Sequence, residues 1–321
     1  MMKMLAITIT TFTETVRQPI FGIVLLATLL LMPLNVGLAA FTLKDDNKLL
    51  MELGLSTLLL SGLFLASFSA SSVLTREIEN KTVLTVVSKP VSRPVFLMGK
   101  YVGLILALAL AFYIGFLGFF MSVQHKVLES SADEWHWPVL VFGPGAMMAV
   151  FVIAGILNFF RDKPFVATVY KLGTPLLTFG AIAICFLGRS WEVGPFNLGP
   201  FGIDIFKAAF LVFCSVMVLT AVALAASTRL GQVMTLLTCV SMLMLGIISD
   251  YLLSQAAQTS MFARFAYLVI PNFSIFWIID AVNGGMNVPA KYVALSTAYA
   301  AGFSLSALFL GTALFQRREV G

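Results

Sequence analysis

Long runs of apolar residues constrain this chain more than any other feature of its sequence. A helix needs about 20 predominantly apolar residues to cross the roughly 30 Å hydrocarbon core of a bilayer. Segments that meet or approach this length lie at 20–40, 49–73, 100–122, 138–159, 172–188, 204–226, 232–253 and 291–315. The chain is 60% hydrophobic and 11% charged, whereas soluble domains average about 45–50% apolar and about 25% charged residues. The pattern therefore predicts an all-α, polytopic integral membrane protein with about eight transmembrane helices.

Two parts of this pattern are weaker than the rest. The segment 172–188 is short and begins with Gly173 and Pro175. If the region 138–188 does not cross fully, the count falls to six, which is the alternative. A further apolar segment, 265–281, is broken by Pro271 and Asn272, so the region 254–290 is predicted to be re-entrant or interfacial on the outer side.

The basic residues predict the orientation. With the first residue in the cytoplasm and alternating crossings, 13 of the 20 Lys and Arg residues lie inside and 7 lie outside. The positive-inside rule then favours both termini in the cytoplasm, which requires an even number of spans. The whole chain, 1–321, is interpreted as one membrane domain.

Residues 1–19 precede the first span and carry a helical pattern. Spacings of three and four place one apolar group on one side and one threonine group on another: Leu5, Ile9, Phe12 and Val16 against Thr8, Thr11 and Thr15. This pattern predicts a helix lying on the inner membrane face. The alternative is a frayed start to the first span.

Few residues carry recognisable chemistry. There is no G-x-x-x-x-G-K-[ST] phosphate loop and no His-Glu-x-x-His. The histidines, His125 and His136, are interpreted as part of an interfacial belt, and the cysteines as apolar packing residues. We therefore expect no catalytic, metal or cofactor site and no nucleic-acid partner.

The span centres contain almost no ionisable residues, which disfavours an ion-coupled carrier. The other polar residues within the spans are uncharged, and three of them are candidates for a translocation path: Asn35, Ser61 and Ser67. The equally weighted alternative is that they form hydrogen bonds between packed helices.

The longest polar stretch, 74–100, lies on the predicted cytoplasmic side between the second and third spans. Pro90 and Pro94 punctuate it, Ser92 can cap a helix, and Gly99 permits a turn or a close approach. A short amphipathic helix there could bury apolar side chains in a soluble partner, while flanking charges set its register. The alternative is an ordinary loop whose positive charges only fix the topology.

The same stretch carries a resemblance to a known family. It reads Glu77-x-Glu79, then Lys81-Thr82, then Ser-Lys-Pro-Val-Ser-Arg ending at Arg93, then Gly99-Lys100. This resembles the first cytoplasmic loop of ABC type 2 permeases, the class that includes copper-enzyme-maturation and gliding-motility permeases. Pro271-Asn272-Phe273 and the basic tail after Phe315 agree with it. The resemblance covers roughly 1–122 and 204–321, and 123–203 departs from it as an added two-span hairpin.

The resemblance implies a non-catalytic, membrane-spanning subunit of an ATP-driven exporter in a bacterial inner membrane. Its implied partners are a separate ABC ATPase subunit, a second permease subunit and membrane lipid. It implies a coupling helix near 89–98, and the residues expected to couple to the ATPase are Glu77, Glu79, Lys81, Thr82, Arg93, Val95 and Phe96. The alternative is a membrane scaffold or assembly factor without an ATPase partner.

Overall fold

The structure is a computed structural model that describes residues 2–41, 46–79, 92–128, 134–254, 258 and 260–316. It confirms the predicted all-α membrane protein, since eight helices in these ranges are long and apolar enough to cross a membrane. The helices of the described ranges are α1 Met2–Val16, α2 Pro19–Ala39, α3 Asp46–Glu79, α4 Arg93–His125, α5 Trp137–Arg161, α6 Phe165–Ile184, α7 Asp204–Ser227, α8 Gln232–Leu253, α9 Met261–Val269, α10 Ile279–Asn283 and α11 Ala290–Gln316. The spanning set is α2 to α8 and α11.

Helix α7 forms the centre of the bundle. It packs on α3, α8 and α11, and 83% of its most apolar stretch is buried inside the protein. Small residues allow this close packing. A Cβ at Gly62 of α3 would collide with Val216 of α7, and one at Gly311 of α11 would lie 2.9 Å from Ala225 Cα.

Helices α5 and α6 form a hairpin that packs on α4. These helices have 25 and 20 residues and both are long and apolar enough to span the membrane, which favours eight spans over the alternative of six. The predicted bounds 172–188 were wrong, since α6 begins seven residues earlier at Phe165. Gly173 and Pro175 lie inside the helix, where a membrane helix tolerates them if neighbouring groups satisfy the backbone.

Helix α1 is separated from α2 by a break at Arg17 and Gln18. Its threonine face is the buried one, with Thr8, Thr11 and Thr15 at most 6% exposed, while Leu5 and Ile9 are more than half exposed. The outward apolar face is what a helix on a membrane surface requires. The inner-face location itself stays a prediction.

The segment 263–283 is broken in the middle, and its two parts are bent by 45°. The break lies at Pro271 and Asn272, where the Asn272 N–H donates to the Tyr299 hydroxyl at 2.9 Å and the Phe273 N–H donates to the Gly246 carbonyl at 3.1 Å. Side chains and a neighbouring helix thus satisfy the freed backbone groups. The re-entrant location on the outer side stays a prediction.

Candidate functional site

The first turns of α4 contain three of the residues expected to couple to an ATPase. Of the coupling helix expected near 89–98, residues 93–98 are helical and form the start of α4, which is one continuous helix from Arg93 to His125. Pro94 lies in the first turn, where a missing N–H breaks no helical hydrogen bond. Ser92 occupies the N-cap position with extended backbone, but its side chain makes no capping hydrogen bond. The remainder of the predicted helix, 89–91, lies outside the described residues.

The predicted coupling residues of α4 divide into an exposed and a packed group. Arg93 and Val95 are exposed at the start of the helix, whereas Phe96 is half-buried. Phe96 stacks on Phe315 of α11, with ring centroids 6.3 Å apart and planes inclined by 11°. The exposed Val95 is therefore available to a partner, while Phe96 packs α4 against α11.

Two arginines complete the end of α11. Arg93 Nη1 donates to the Phe315 carbonyl at 2.8 Å, and Arg229 Nε donates to the Leu314 carbonyl at 3.1 Å. The last carbonyls of a helix have no partner within it, and they carry the negative end of the helix dipole. Cationic donors from α4 and from the residues after α7 thus fix this helix end.

Lys100 lies one turn after Phe96 on α4 and is almost fully buried, at 2% exposure. Its Nζ lies 5.4 Å from the centre of the Phe96 ring. Arg93 approaches the Phe315 ring in the same way, at 5.5 Å. Cations over aromatic faces are attracted by the ring quadrupole, more strongly where water is excluded. Each of the two stacked rings is therefore approached by one positive charge.

Helix α1 packs on this same part of α4 through a pair of glycines. A Cβ at Gly99 would lie 2.9 Å from Ile7 Cγ2, and one at Gly103 would lie 2.7 Å from both Thr11 Cβ and the Thr8 carbonyl oxygen. The Thr8 hydroxyl donates to the Gly99 carbonyl at 3.3 Å. Gly99 and Gly103 form a G-x-x-x-G spacing, which lets two helix backbones approach closely. Sequence reasoning noted Gly99 alone, although this spacing could have identified the contact.

The end of α3 carries two of the four remaining predicted coupling residues. Glu77 and Glu79 lie in its last turn, whereas Lys81 and Thr82 lie outside the described residues. Helices α3 and α4 have 34 and 33 residues, and at 1.5 Å per residue each is about 50 Å long. Since the hydrocarbon core is roughly 30 Å thick, both helices extend well beyond it.

The three candidate path residues make hydrogen bonds or border only a small gap. Asn35 Nδ2 donates to the Thr57 hydroxyl at 3.0 Å, and Ser67 is fully buried and donates to the Leu63 carbonyl at 2.8 Å. Ser61 borders a gap of only about 10 Å³, the size of a single water. These contacts favour helix packing over a path in this conformation, and the path role stays a prediction.

The histidines His125, at the end of α4, and His136, before α5, do not assemble a metal site with other described residues. No group of three His, Cys, Asp or Glu side chains with metal-binding geometry occurs in the ranges that the structure covers. His136 is buried before α5, and burial lowers its pKa, with nearby His125 adding to the effect. The cysteines Cys185, Cys214 and Cys239 are free and buried, as expected of packing residues.

A scan against protein-family models finds no match, and a search of curated proteins finds no relative. The functional argument therefore rests on the residues and contacts of this chain.

Proposed function

We propose that this chain is the membrane-spanning permease subunit of an ATP-driven ABC transporter of the exporter type. It hydrolyses no ATP itself and receives motion from a separate ATPase subunit bound at the cytoplasmic face. A second permease subunit, identical or related, completes the transporter. The proposed location is a bacterial inner membrane with both chain ends in the cytoplasm.

The observation that carries the proposal is the exposed start of α4 and its rigid attachment. Val95 is exposed at the tip, while Arg93 and Phe96 join the same turn to the end of α11. Gly99 and Gly103 join it to α1. A force applied at the start of α4 would therefore act on three helices, α4, α11 and α1, at once, as a coupling element requires.

The charge distribution supports a mover driven from outside the membrane. In the described spans, the acids lie near helix ends, as Glu52, Asp204 and Asp250 do. Carriers coupled to protons or sodium usually place acidic side chains near the bilayer midplane. ATP-driven closure of an ATPase dimer would instead push on the start of α4 and tilt α1 and α11 with it.

The test is co-purification with a candidate ABC ATPase expressed together with this chain and tagged on the ATPase. We expect Val95→Asp and Glu79→Arg each to reduce recovery of the permease at least tenfold. A charge placed in an apolar contact, as in Val95→Asp, or a charge of reversed sign at an interface, as in Glu79→Arg, costs several kcal/mol of binding free energy. The matched control is Val193→Asp, which changes a side chain that is 84% exposed in the loop between α6 and α7.

Each outcome separates the alternatives. Equal recovery of all variants would mean that the start of α4 is not the docking element. If the wild-type chain binds no ABC ATPase, the permease proposal fails, and the scaffold or assembly-factor alternative takes its place. Membrane insertion of each variant is checked by its size-exclusion profile in detergent, so that loss of folding is not read as loss of docking.

A further inference from the structure

A cavity of about 430 Å³ lies between α2 and α5, with α4 as its floor. Its walls are apolar, and they come mainly from Leu26, Leu30 and Pro33 of α2 and from Met148, Phe151 and Val152 of α5. Pockets for small ligands have volumes of about 300–1,000 Å³. The cavity is therefore large enough for a chain of hydrocarbon.

The cavity spans about one half of the bilayer. Its lining runs from Leu26 to Val36 on α2 and from Val139 to Val152 on α5, which at 1.5 Å per residue is roughly 15–20 Å. The hydrocarbon core of one leaflet is about 15 Å deep, half of the roughly 30 Å total. Leu30 and Met148 are 62% and 70% exposed, so the cavity opens sideways between α2 and α5, where lipid lies.

Irregular helix geometry and missing side chains make this space. Helix α2 contains Pro33, and α5 contains a π-helical turn, Val141–Gly145, with Pro144 inside it. Gly118 of α4 and Gly143 of α5 both line the cavity and contribute no side chain. Short π turns within helices are often found at functional sites.

One buried polar side chain lines the end of the cavity. His125, at the end of α4, is 5% exposed, and its Nδ1 lies 2.8 Å from the Lys126 carbonyl oxygen. A carbonyl only accepts, so Nδ1 carries the proton, and Nε2 of the neutral ring is an acceptor. Among the described residues, no group donates a hydrogen bond to Nε2. An unsatisfied buried acceptor is destabilising, and a ligand donor would offset that cost.

Trp135 stands beside this histidine at the mouth of the cavity. Its ring lies edge-on to the His125 ring with centroids 5.8 Å apart, and the residue is 52% exposed. Tryptophan is enriched at membrane–water interfaces, which places the His125 end of the cavity at head-group level. Because Nε2 of His125 is itself buried, this half-exposed indole has to move aside before a head group reaches it.

We propose that this cavity binds one hydrocarbon chain of a membrane lipid whose head carries a hydroxyl group. The chain occupies the apolar space between α2 and α5, and the hydroxyl donates to Nε2 of His125. The lipid enters sideways from the leaflet on the His125 side. This site is independent of the start of α4, so it stands whether or not the chain couples to an ATPase.

The probe is a sixteen-carbon alcohol that carries a photoactivatable diazirine on its chain, compared with its methyl ether. The two probes share the chain and the oxygen, but the ether lacks the donor and carries one additional methyl group, so the His125→Phe variant below controls for that methyl group. The full chain is purified into lipid nanodiscs, titrated with each probe, irradiated and mapped by mass spectrometry of its peptides. We expect saturable labelling of α2 and α5, with half-saturation at about threefold to tenfold lower concentration for the alcohol, the value of one net hydrogen bond.

The variants test the two parts of the site separately. Leu30→Trp fills the opening and is expected to abolish saturable labelling, whereas Leu31→Trp, at the same depth but outside the lining, retains it. His125→Phe is expected to remove the difference between alcohol and ether. Met148→Trp serves in place of Leu30→Trp if that variant does not fold.

Labelling that is unchanged by Leu30→Trp or Met148→Trp, or that spreads evenly over all lipid-facing helices, overturns the cavity as a binding site. Equal half-saturation of the two probes on the wild-type chain overturns the hydroxyl assignment. Retention of the alcohol preference in His125→Phe does so as well.

Discussion

Individual glycines decide how closely the helices of this protein approach one another. Gly103 lies against the α1 backbone, whereas Gly302 of α11 has no atom of another helix within 4 Å of the position where its Cβ would be. Both glycines lie inside apolar runs, and only the G-x-x-x-G spacing with Gly99 sets Gly103 apart in the sequence. That spacing does not say which helix packs there, because the neighbour is distant in the chain.

Gly103→Ala is expected to destabilise the protein, because its Cβ would lie 2.7 Å from the Thr8 carbonyl oxygen. Overpacking of this kind costs about 1–3 kcal/mol, so the thermal midpoint in detergent should fall by several degrees. Gly302→Ala is the matched control. It adds a methyl group in open space and improves helix propensity, so the midpoint should stay or rise. Equal midpoints for the two variants would show that α1 does not pack on α4 as described.

At the scale of helices, the sequence predicted the presence of the helices better than the residues at which they begin, end and contact one another. All eight predicted spans correspond to helices, because lipid demands a fixed length of apolar residues whatever the neighbours are. The sequence did not indicate that the expected coupling residues 93–98 belong to the same helix as the third span, which continues through Gly99 with α1 packed against it. Nor could the hydrogen bond between Arg93 and Phe315, 222 positions apart, be read from local pattern.

Replacing both arginines at the end of α11, in Arg93→Met with Arg229→Met, is expected to fray its last turn. Hydrogen bonds from charged groups contribute about 1.5–3 kcal/mol each, less where exposed. Amide hydrogen exchange in the peptide that ends at Gln316 should therefore accelerate about threefold to tenfold. Arg264→Met, on α9, is the control and should leave that peptide unchanged. Unaltered exchange in the double variant would contradict the proposed fixing of the helix end.

At the scale of the whole molecule, eight crossings place the start of α2 and the end of α11 on one side of the membrane. The basic residues predict that this side is the cytoplasm. The predicted topology has the α5–α6 connection at Lys163 inside and the loop that contains Val193 outside. Cysteine labelling can test this arrangement, because the three natural cysteines are buried.

With a membrane-impermeant maleimide on intact cells, Val193→Cys is expected to react. Ser92→Cys and Lys163→Cys are expected to react only after the membrane is permeabilised, since charged reagents do not cross lipid. Labelling of Lys163→Cys from outside would mean that α5 and α6 do not cross, in favour of six spans. Labelling of Ser92→Cys from outside would reverse the whole orientation.

The burial of α7 also bears on how the protein is made. Its flanks are covered by α3, which is synthesised earlier, and by α8 and α11, which are synthesised later. During translation, α7 therefore enters the bilayer with one side packed on α3. Its other side, whose small residues fit against protein, still faces lipid. The bundle closes only when α11 has inserted. A ribosome that stalls before α11 thus leaves an open groove along α7, by which quality-control proteases could recognise the unfinished chain.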